Sequence, residues 1–538
     1  MTDGRMQDFD LTLDRFLTHA AKWHPQAGVV TASSGRESRR IGYAELEQRC
    51  RKVSAALQRL GVSKGDRVAT LAWNTQAHFE AWYGLMGMGA VCHTLNPRLT
   101  AAQLGDMAAQ SGARLLIVDS GLLSGAVQIA KAAPGIRGIL VIDPEAPLAE
   151  EAVAGVPVML LEELLEAATP DVVWGAFPET SPCGLCFTSG TTGAPKGVTY
   201  THRSSYLHTL RALQADVMGI SAADSVLAVV PMFHANAWGL PFAAPAAGAQ
   251  LVLPGRNTDG ASLAKLIADE SVTIGVGVPT VWLGLVEYVD EHGLQLPSLK
   301  RIIVGGSPMP PALMARLEKR LGVKVQTSWG MTELSPLGVI MPENAASRPA
   351  DVAGRPAIGV DLMLTDSEGR PLTEQRGPEG HLRVRGAAVV ERYFGAEEKA
   401  VDADGWFFTG DLARIDEAGL VRITGRAKDL IKSGGEWINP AEIEAIIGAL
   451  PEISLAAVIG REDPKWGERP HLLVEVRPGQ TISDEAILGA LRGKVANWWV
   501  PDTVQRLKVM PLAATGKIDK LRLRAEYGQS PEDAKSGA

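Results

Sequence analysis

The sequence predicts an α/β fold: a large N-terminal α/β domain with a β-rich subdomain, followed by a small α+β C-terminal domain. Three observations predict it. Buried-type strand runs alternate with amphipathic helical stretches through more than the first half of the chain. The texture changes after about Ile340 to short strands joined by Gly-rich turns. A second change at Gly425 opens a compact module with its own strands and helices. A length of 538 residues accommodates one large domain and a small one.

The elements follow in order. "AELEQRCRKVSAALQRLG" places Leu46, Cys50, Val53, Leu57 and Leu60 at helical spacing, and Gly61 stops it. "DRVATLAW" reads as a strand, followed by a helix from about Thr75 to Gly89 and another from Ala101. "RLLIVDS" and "GILVID" are buried strands, and the alternation resumes at "AQLVLPG", "VTIGVGVP" and "LKRIIVGG". Such alternation implies a parallel sheet with helices on its faces. "DLMLTDSEGRPL", "GHLRVRG" and "LVRITGR" form the β-rich subdomain. In the last module Asn439 reads as an N-cap, Pro440 as the first helical residue and Glu442 as the partner in a capping box. Strands "LAAVIG" and "HLLVEVRP", a helix from about Asp484 to Trp498 and a strand near Val504 complete it. The tail after about Tyr527 is small and polar and reads as disordered.

Composition excludes several classes. Net charge is −8 with both signs mixed, so no nucleic-acid footprint is present. Cys50, Cys92, Cys183 and Cys186 are too few for a disulfide scaffold and fit a reducing, cytoplasmic compartment. "PCGLC" is a CxxC, but no second pair or His cluster accompanies it, so a buried strand is the expectation. "MTDGRMQDFD" lacks the apolar run of a signal peptide. Ser225 to Gly255 carries no Asp, Glu, Lys or Arg, yet Pro231, Gly239, Pro241, Pro245 and Gly248 interrupt it, with His234 and Asn236 inside. A strand–loop–strand through a buried site is expected there, with no integral membrane segment.

The chemistry concentrates in "FTSGTTGAPKGV". Its glycines, hydroxyls and Lys196 can surround phosphate oxygens. A Walker loop needs a second Gly where Pro195 stands and Ser or Thr after Lys196, where Gly197 stands. P-loop chemistry is therefore excluded.

"TSGTTGAPKG" resembles the phosphate-loop signature of the adenylate-forming superfamily of acyl-CoA synthetases, luciferases and peptide-synthetase adenylation domains. "SWGMTE", "FFTGD", "GRAKDLIKSGGEWI" and "ATGKIDK" follow in that family's order. The resemblance covers nearly the whole chain. It implies that a carboxylate attacks the α-phosphorus of ATP and that a thiol, that of CoA, then takes the acyl group. It implies that Thr188, Ser189, Gly190, Thr191, Thr192, Gly193 and Lys196 hold the β- and γ-phosphates. Thr332 would contact the α-phosphate and Glu333 would help hold Mg²⁺. Asp411, aided by Arg426, would accept the ribose hydroxyls. Gly305, Gly306 and Ser307 would form one adenine wall, and Trp329, Gly330 and Met331 the other. Lys517 would bridge carboxylate and phosphate oxygens. Lys432, Ser433, Gly434, Gly435 and Glu436 would line the pantetheine tunnel, and Lys428 would be the hinge. One departure is His381, where family members carry Glu; it is expected to alter local packing only.

By the same resemblance His234 and Trp238 line the acyl pocket, with Gly305 and Gly330. The stretch has no acidic residue to pair with an α-amino group, and Trp238 leaves room for a short or slender acid. The segment resembles most the methylmercaptopropionate-CoA ligases among short- and medium-chain acyl-CoA ligases. A general short- or medium-chain or aryl acid ligase is the alternative; a luciferase-type oxygenase and a non-catalytic nucleotide-binding protein are further ones. The domains implied are 1–427, with the β-rich subdomain at about 341–427, then a mobile domain at 428–530 and a tail at 531–538. A homodimer is left open. Lys520 and the arginines after it read as surface charge.

Overall fold

The strands of the chain sort into four sheets among the residues that the computed structural model describes, which are 4–32, 37–144, 152–153, 155–188, 195–434, 436–513 and 517–529. The first sheet has nine strands. Its centre is parallel and runs, in spatial order, Lys324–Gly330, Arg301–Val304, Ile274–Gly277, Ser225–Ala228, Gln250–Leu253 and Gly28–Thr31. The second sheet has eight strands and is parallel from Pro182–Phe187 through Val91–Thr94, Arg67–Leu71, Leu115–Asp119 and Gly138–Ile142 to Val156–Leu160. Strand-to-strand crossovers through helices give parallel pairing, as the alternating sequence pattern requires.

The two sheets share one core. Val29, Val226 and Ile303 from the first pack in the same cluster as Val68, Cys92 and Ile117 from the second. Helix Gln76–Gly87 contributes Phe79, Trp82 and Tyr83 to this cluster, all fully buried. Thr75 starts the helix by accepting the His78 N–H. The predicted helix after Ala101 is Ala101–Ser111, opened by a capping box between Thr100 and Gln103. Cys183 and Cys186 lie on the strand Pro182–Phe187 with both side chains buried, and burial pushes the Cys183 thiol up to about 12.

The third sheet is antiparallel, in the order Asp361–Thr365, Glu379–Arg385, Phe407–Ile415 and Val421–Arg426. His381 sits on its second strand with its ring 5.7 Å from that of Phe408. The fourth sheet belongs to the smaller C-terminal domain. Its strands are Glu436–Ile438, Ile431–Ser433, Gly467–Val476, Ile453–Asp463 and Val504–Leu507.

Four expectations are corrected. The charge-free stretch contains a helix, Leu240–Ala247, between its strands. Pro241 stands in the first turn, where its missing N–H costs nothing. The helix expected from Asp484 to Trp498 ends at Gly489, and Gly493 adopts a left-handed φ of 72° that helices do not accept. Glu442 closes no capping box: Asn439 accepts the Ala441 N–H and donates its amide to the Thr424 carbonyl at 2.7 Å. Lys520 is not surface decoration, since it pairs at 2.7 Å with Glu444, which also accepts the Val458 N–H. Arg524 likewise pairs at 2.8 Å with Asp429 in the turn Ala427–Asp429.

Candidate active site

The strand Lys324–Gly330 carries Trp329 to the C-terminal end of the first sheet, where ligands sit in open α/β folds. Asp411 comes from the third sheet, opposite Arg426 in register. The indole N–H of Trp329 donates to Asp411 Oδ2 at 2.8 Å, and Arg426 Nε lies 2.6 Å from Oδ1. Asp411 is only 2% exposed. Burial pushes its carboxyl above the ordinary value, against the pull of Arg426, Trp329 and Lys517. Trp329 thus fixes the carboxylate, and its ring leaves no room for a side chain at Gly338.

A short turn, Thr332–Leu334, follows that strand. Thr332 and Glu333 are both buried. Glu333 Oε1 accepts from the Tyr393 hydroxyl at 2.9 Å, and its main-chain carbonyl accepts the Val390 N–H. The Tyr200 hydroxyl donates to the Thr332 carbonyl at 2.9 Å. Lys196 stands 4.8 Å from the ring centroid of Tyr393, and Thr188 N–H donates to the Lys196 carbonyl at 2.9 Å. Ser189, Gly190, Thr191, Thr192 and Gly193 lie outside the described residues. Tyr200 and Tyr393 were missed by sequence reasoning. Neither stands in a phosphate-loop or metal-type motif, and only the folded packing brings them to the Thr332–Glu333 turn.

Gly305 and Gly306 follow strand Arg301–Val304, and two elements converge on them. A Cβ at Gly305 would fall 2.5 Å from Ser328 Oγ and 3.0 Å from Trp238 Cη2. One at Gly306, whose φ is 82°, would fall 3.7 Å from Lys517 Cε. At Gly305 the Ser328 hydroxyl and the Trp238 ring crowd out a side chain, and at Gly306 the left-handed φ is what favours glycine. Ser307 is the next residue on this bend and is half-buried. Gly330 is equally constrained, since a Cβ would fall 2.2 Å from the Pro336 carbonyl, which also accepts the Met331 N–H.

The Lys517 carbonyl accepts the Ala513 N–H at 2.7 Å. Lys517 makes no side-chain ion pair among the described residues. Burial, then Arg426, pushes its ammonium below the ordinary lysine value, while Asp411 and Glu333 oppose that shift. His234 is half-buried nearby. Burial and the charge of Lys517 lower its pKa to about 4, so the ring is neutral near pH 7.

Between His234 and the helix Leu240–Ala247 the chain makes a left-handed turn. Ala235, Asn236, Ala237 and Trp238 have φ of 43°, 53°, 45° and 53°, and Gly239 has 80°. Each non-glycine residue there costs about 1–2 kcal/mol. Burial of Ala235, Asn236 and Ala237 offsets that cost and holds Trp238 against Gly305.

The hairpin of Lys432, Ser433 and Glu436 is built within the small domain. Lys432 N–H donates to Glu468, and the ring of Trp466 packs on Gly434. No hydrogen bond or ion pair among the described residues joins this hairpin to Asp411 or Lys517. Gly435 lies outside the described residues. Lys428 occupies the turn Ala427–Asp429, where burial pushes its ammonium down.

Comparison with known proteins places the chain in a family. The AMP-binding enzyme family matches residues 17–394, and the AMP-binding enzyme C-terminal domain matches 442–517. A 3-methylmercaptopropionyl-CoA ligase of Ruegeria lacuscaerulensis is 39% identical over 533 residues, spanning 97% of this chain and 98% of that protein. A medium-chain-fatty-acid–CoA ligase of Ectopseudomonas oleovorans is 39% identical, spanning 98% and 97%. Among solved structures, the anthranilate CoA ligase AuaEII with anthranoyl-AMP superposes with a TM-score of 0.87, at 24% identity over 97% of this chain and 98% of that one. ATP-bound MatB from Rhodopseudomonas palustris superposes with a TM-score of 0.84, at 25% identity over 97% and 99%. The chain belongs to the AMP-binding enzyme family and is an AMP-forming acyl-CoA synthetase, with ATP and CoA as substrates.

Proposed function

We propose that the enzyme activates a short, slender carboxylic acid of the 3-methylmercaptopropionate type. The observation that carries this reading is the convergence of Trp238 and Lys517 on Gly305 and Gly306. A carboxylate placed there meets a cation on one side and a bulky ring on the other, which limits the width of the acyl chain. General short- or medium-chain acids remain the second reading, favoured by the identity to the medium-chain ligase.

Lys517 draws the acid's carboxylate and the α-phosphate together and offsets the charge that builds as the carboxylate oxygen attacks phosphorus and pyrophosphate leaves. Thr332 contacts the α-phosphate, and the loop from Thr188 to Lys196 holds the β- and γ-phosphates. Asp411, already clamped by Trp329 and Arg426, accepts the ribose hydroxyls. Gly305–Ser307 and Trp329–Met331 enclose the base. Glu333 offers a hard carboxylate suited to Mg²⁺, which would neutralise phosphate charge when bound. Neutral His234 borders the carboxylate end without adding a second charge.

In the second half-reaction the CoA thiol attacks the acyl carbonyl and AMP leaves. Lys432, Ser433, Gly434, Gly435 and Glu436 line the path of the pantetheine arm. We place the domain boundary at 427/428, with Lys428 as hinge, so that rotation exchanges Lys517 for this hairpin. The four buried free cysteines fit a reducing cytoplasm.

The test is acyl-CoA formation from methylmercaptopropionate, butyrate, hexanoate and cinnamate, with AMP release followed with and without CoA. A higher kcat/KM for methylmercaptopropionate is expected. Clear preference for cinnamate would sink the proposal, and oxygen consumption without need of CoA would sink the ligase reading.

A further inference from the structure

Residues 388–394 lie between the strands Glu379–Arg385 and Phe407–Ile415 of the third sheet. They tie together two stretches that are far apart in the chain. On one side, the Ser335 hydroxyl donates to the Ala388 carbonyl at 3.0 Å, and the Val390 N–H donates to the Glu333 carbonyl at 2.7 Å. On the other, the Phe394 N–H donates at 2.8 Å to the carbonyl of Gly197, which opens the strand Gly197–Thr201 directly after Lys196. The side chain of Tyr393 reaches both. Its hydroxyl donates to Glu333 Oε1 at 2.9 Å, and the Lys196 ammonium stands 4.8 Å from its ring centroid. The ring in turn packs edge-on against Phe407, centroids 6.5 Å apart.

Glu333 fits a metal role. It is a buried hard carboxylate, and no group of three or more metal-type side chains exists among the described residues. A cation there would be held by this carboxylate together with phosphate oxygens, the arrangement that Mg²⁺ favours. A ligating carboxylate works best when a second partner fixes its orientation. Lys196 is exposed, and a ring face under its ammonium narrows the positions it can take.

We infer that Tyr393 is a positioning residue for adenylation: its hydroxyl orients the Glu333 carboxylate toward a Mg²⁺-bound triphosphate, and its ring seats the Lys196 ammonium beside the same triphosphate. The inference rests on the roles proposed above for Glu333 and Lys196.

Calorimetric ATP binding tests it, in the absence of a carboxylic acid so that no turnover occurs, once with Mg²⁺ and once with EDTA. Tyr393→Phe removes the hydroxyl and keeps the ring. The gain in ATP affinity that Mg²⁺ confers should fall by about tenfold, as loss of a partner that orients a ligating group does. Affinity in EDTA should stay within about twofold of wild type, because the ring still seats Lys196. Tyr393→Leu removes the ring too, and its affinity in EDTA should fall by about two- to fivefold. An unchanged Mg²⁺ gain in Tyr393→Phe overturns the inference, whether or not Tyr393→Leu folds. So does a loss of affinity that is equal with and without Mg²⁺, which is what a merely structural role would give. Glu333→Gln is the control and should lose the Mg²⁺ gain. If it keeps that gain, the role proposed for Glu333 fails and takes the inference with it, a result distinct from an unchanged Tyr393→Phe beside an impaired Glu333→Gln.

Discussion

Asp411 and Lys517 face the same cleft but are held in opposite ways. Asp411 sits on a strand, receives Trp329 and Arg426 on its two oxygens, and is almost wholly buried. All three residues belong to the large domain. Lys517 belongs to the small domain, its carbonyl accepts the Ala513 N–H, and its ammonium makes no side-chain ion pair among the described residues. The difference teaches how a two-step site can be assembled. On the proposed function, a group needed throughout would be cross-braced, whereas one needed for a single step would be left unbonded so that it could withdraw at low cost. The small domain is braced internally instead, through Lys520 on Glu444 and Arg524 on Asp429.

Breaking the unbraced side should have the largest effect. Lys517→Ala should lower adenylate formation by about 10²–10³-fold or more, as loss of a transition-state donor does. Thioesterification of a supplied acyl-adenylate should be largely spared. Single-turnover measurement of each half-reaction decides it, and equal loss in both would contradict the division of labour.

Loosening the braced side should act more evenly. Trp329→Phe removes the indole donor from a buried carboxylate, a loss of about 1–3 kcal/mol, or roughly 5- to 100-fold. Both half-reactions should weaken together, mainly through poorer nucleotide binding. Loss confined to adenylation would show that Asp411 is not held for both steps.

The smallest effect concerns the bracing of the large domain itself. His202 Nδ1 accepts the Leu13 N–H at 3.1 Å, and burial holds its pKa at about 3. The unfolded imidazole titrates near 6.5, so the unfolded chain takes up this proton first as pH falls. The stability tied to the neutral ring is complete above about pH 6.5 and declines toward pH 3, by about 3 kcal/mol at pH 4.5. His202→Gln should therefore cost stability at pH 7.5, and its deficit in Tm should shrink at pH 4.5. A deficit constant across that range would show that His202 is not the acid-sensitive tie.

The family, and the candidate site residues proposed from it, could be named from the chain because its motifs stand in a fixed order. The Gly-rich loop, Glu333, Asp411 and Lys517 stand in short motifs that keep their identity without coordinates. Tyr200 and Tyr393 could not be found that way. Each is an ordinary residue whose meaning comes from what it touches. The expected capping box and long helix failed because Asn439 turns its amide to Thr424 and Gly493 adopts a left-handed φ.

The sequence by itself determined the α/β alternation, the change of texture after Ile340 and the motif order that marks the family, because periodicity and motif chemistry are local properties. Tertiary structure alone decided that Trp329 clamps Asp411 and that Trp238 is held by a left-handed turn against Gly305. These depend on contacts between residues far apart in the chain, and only packing selects them.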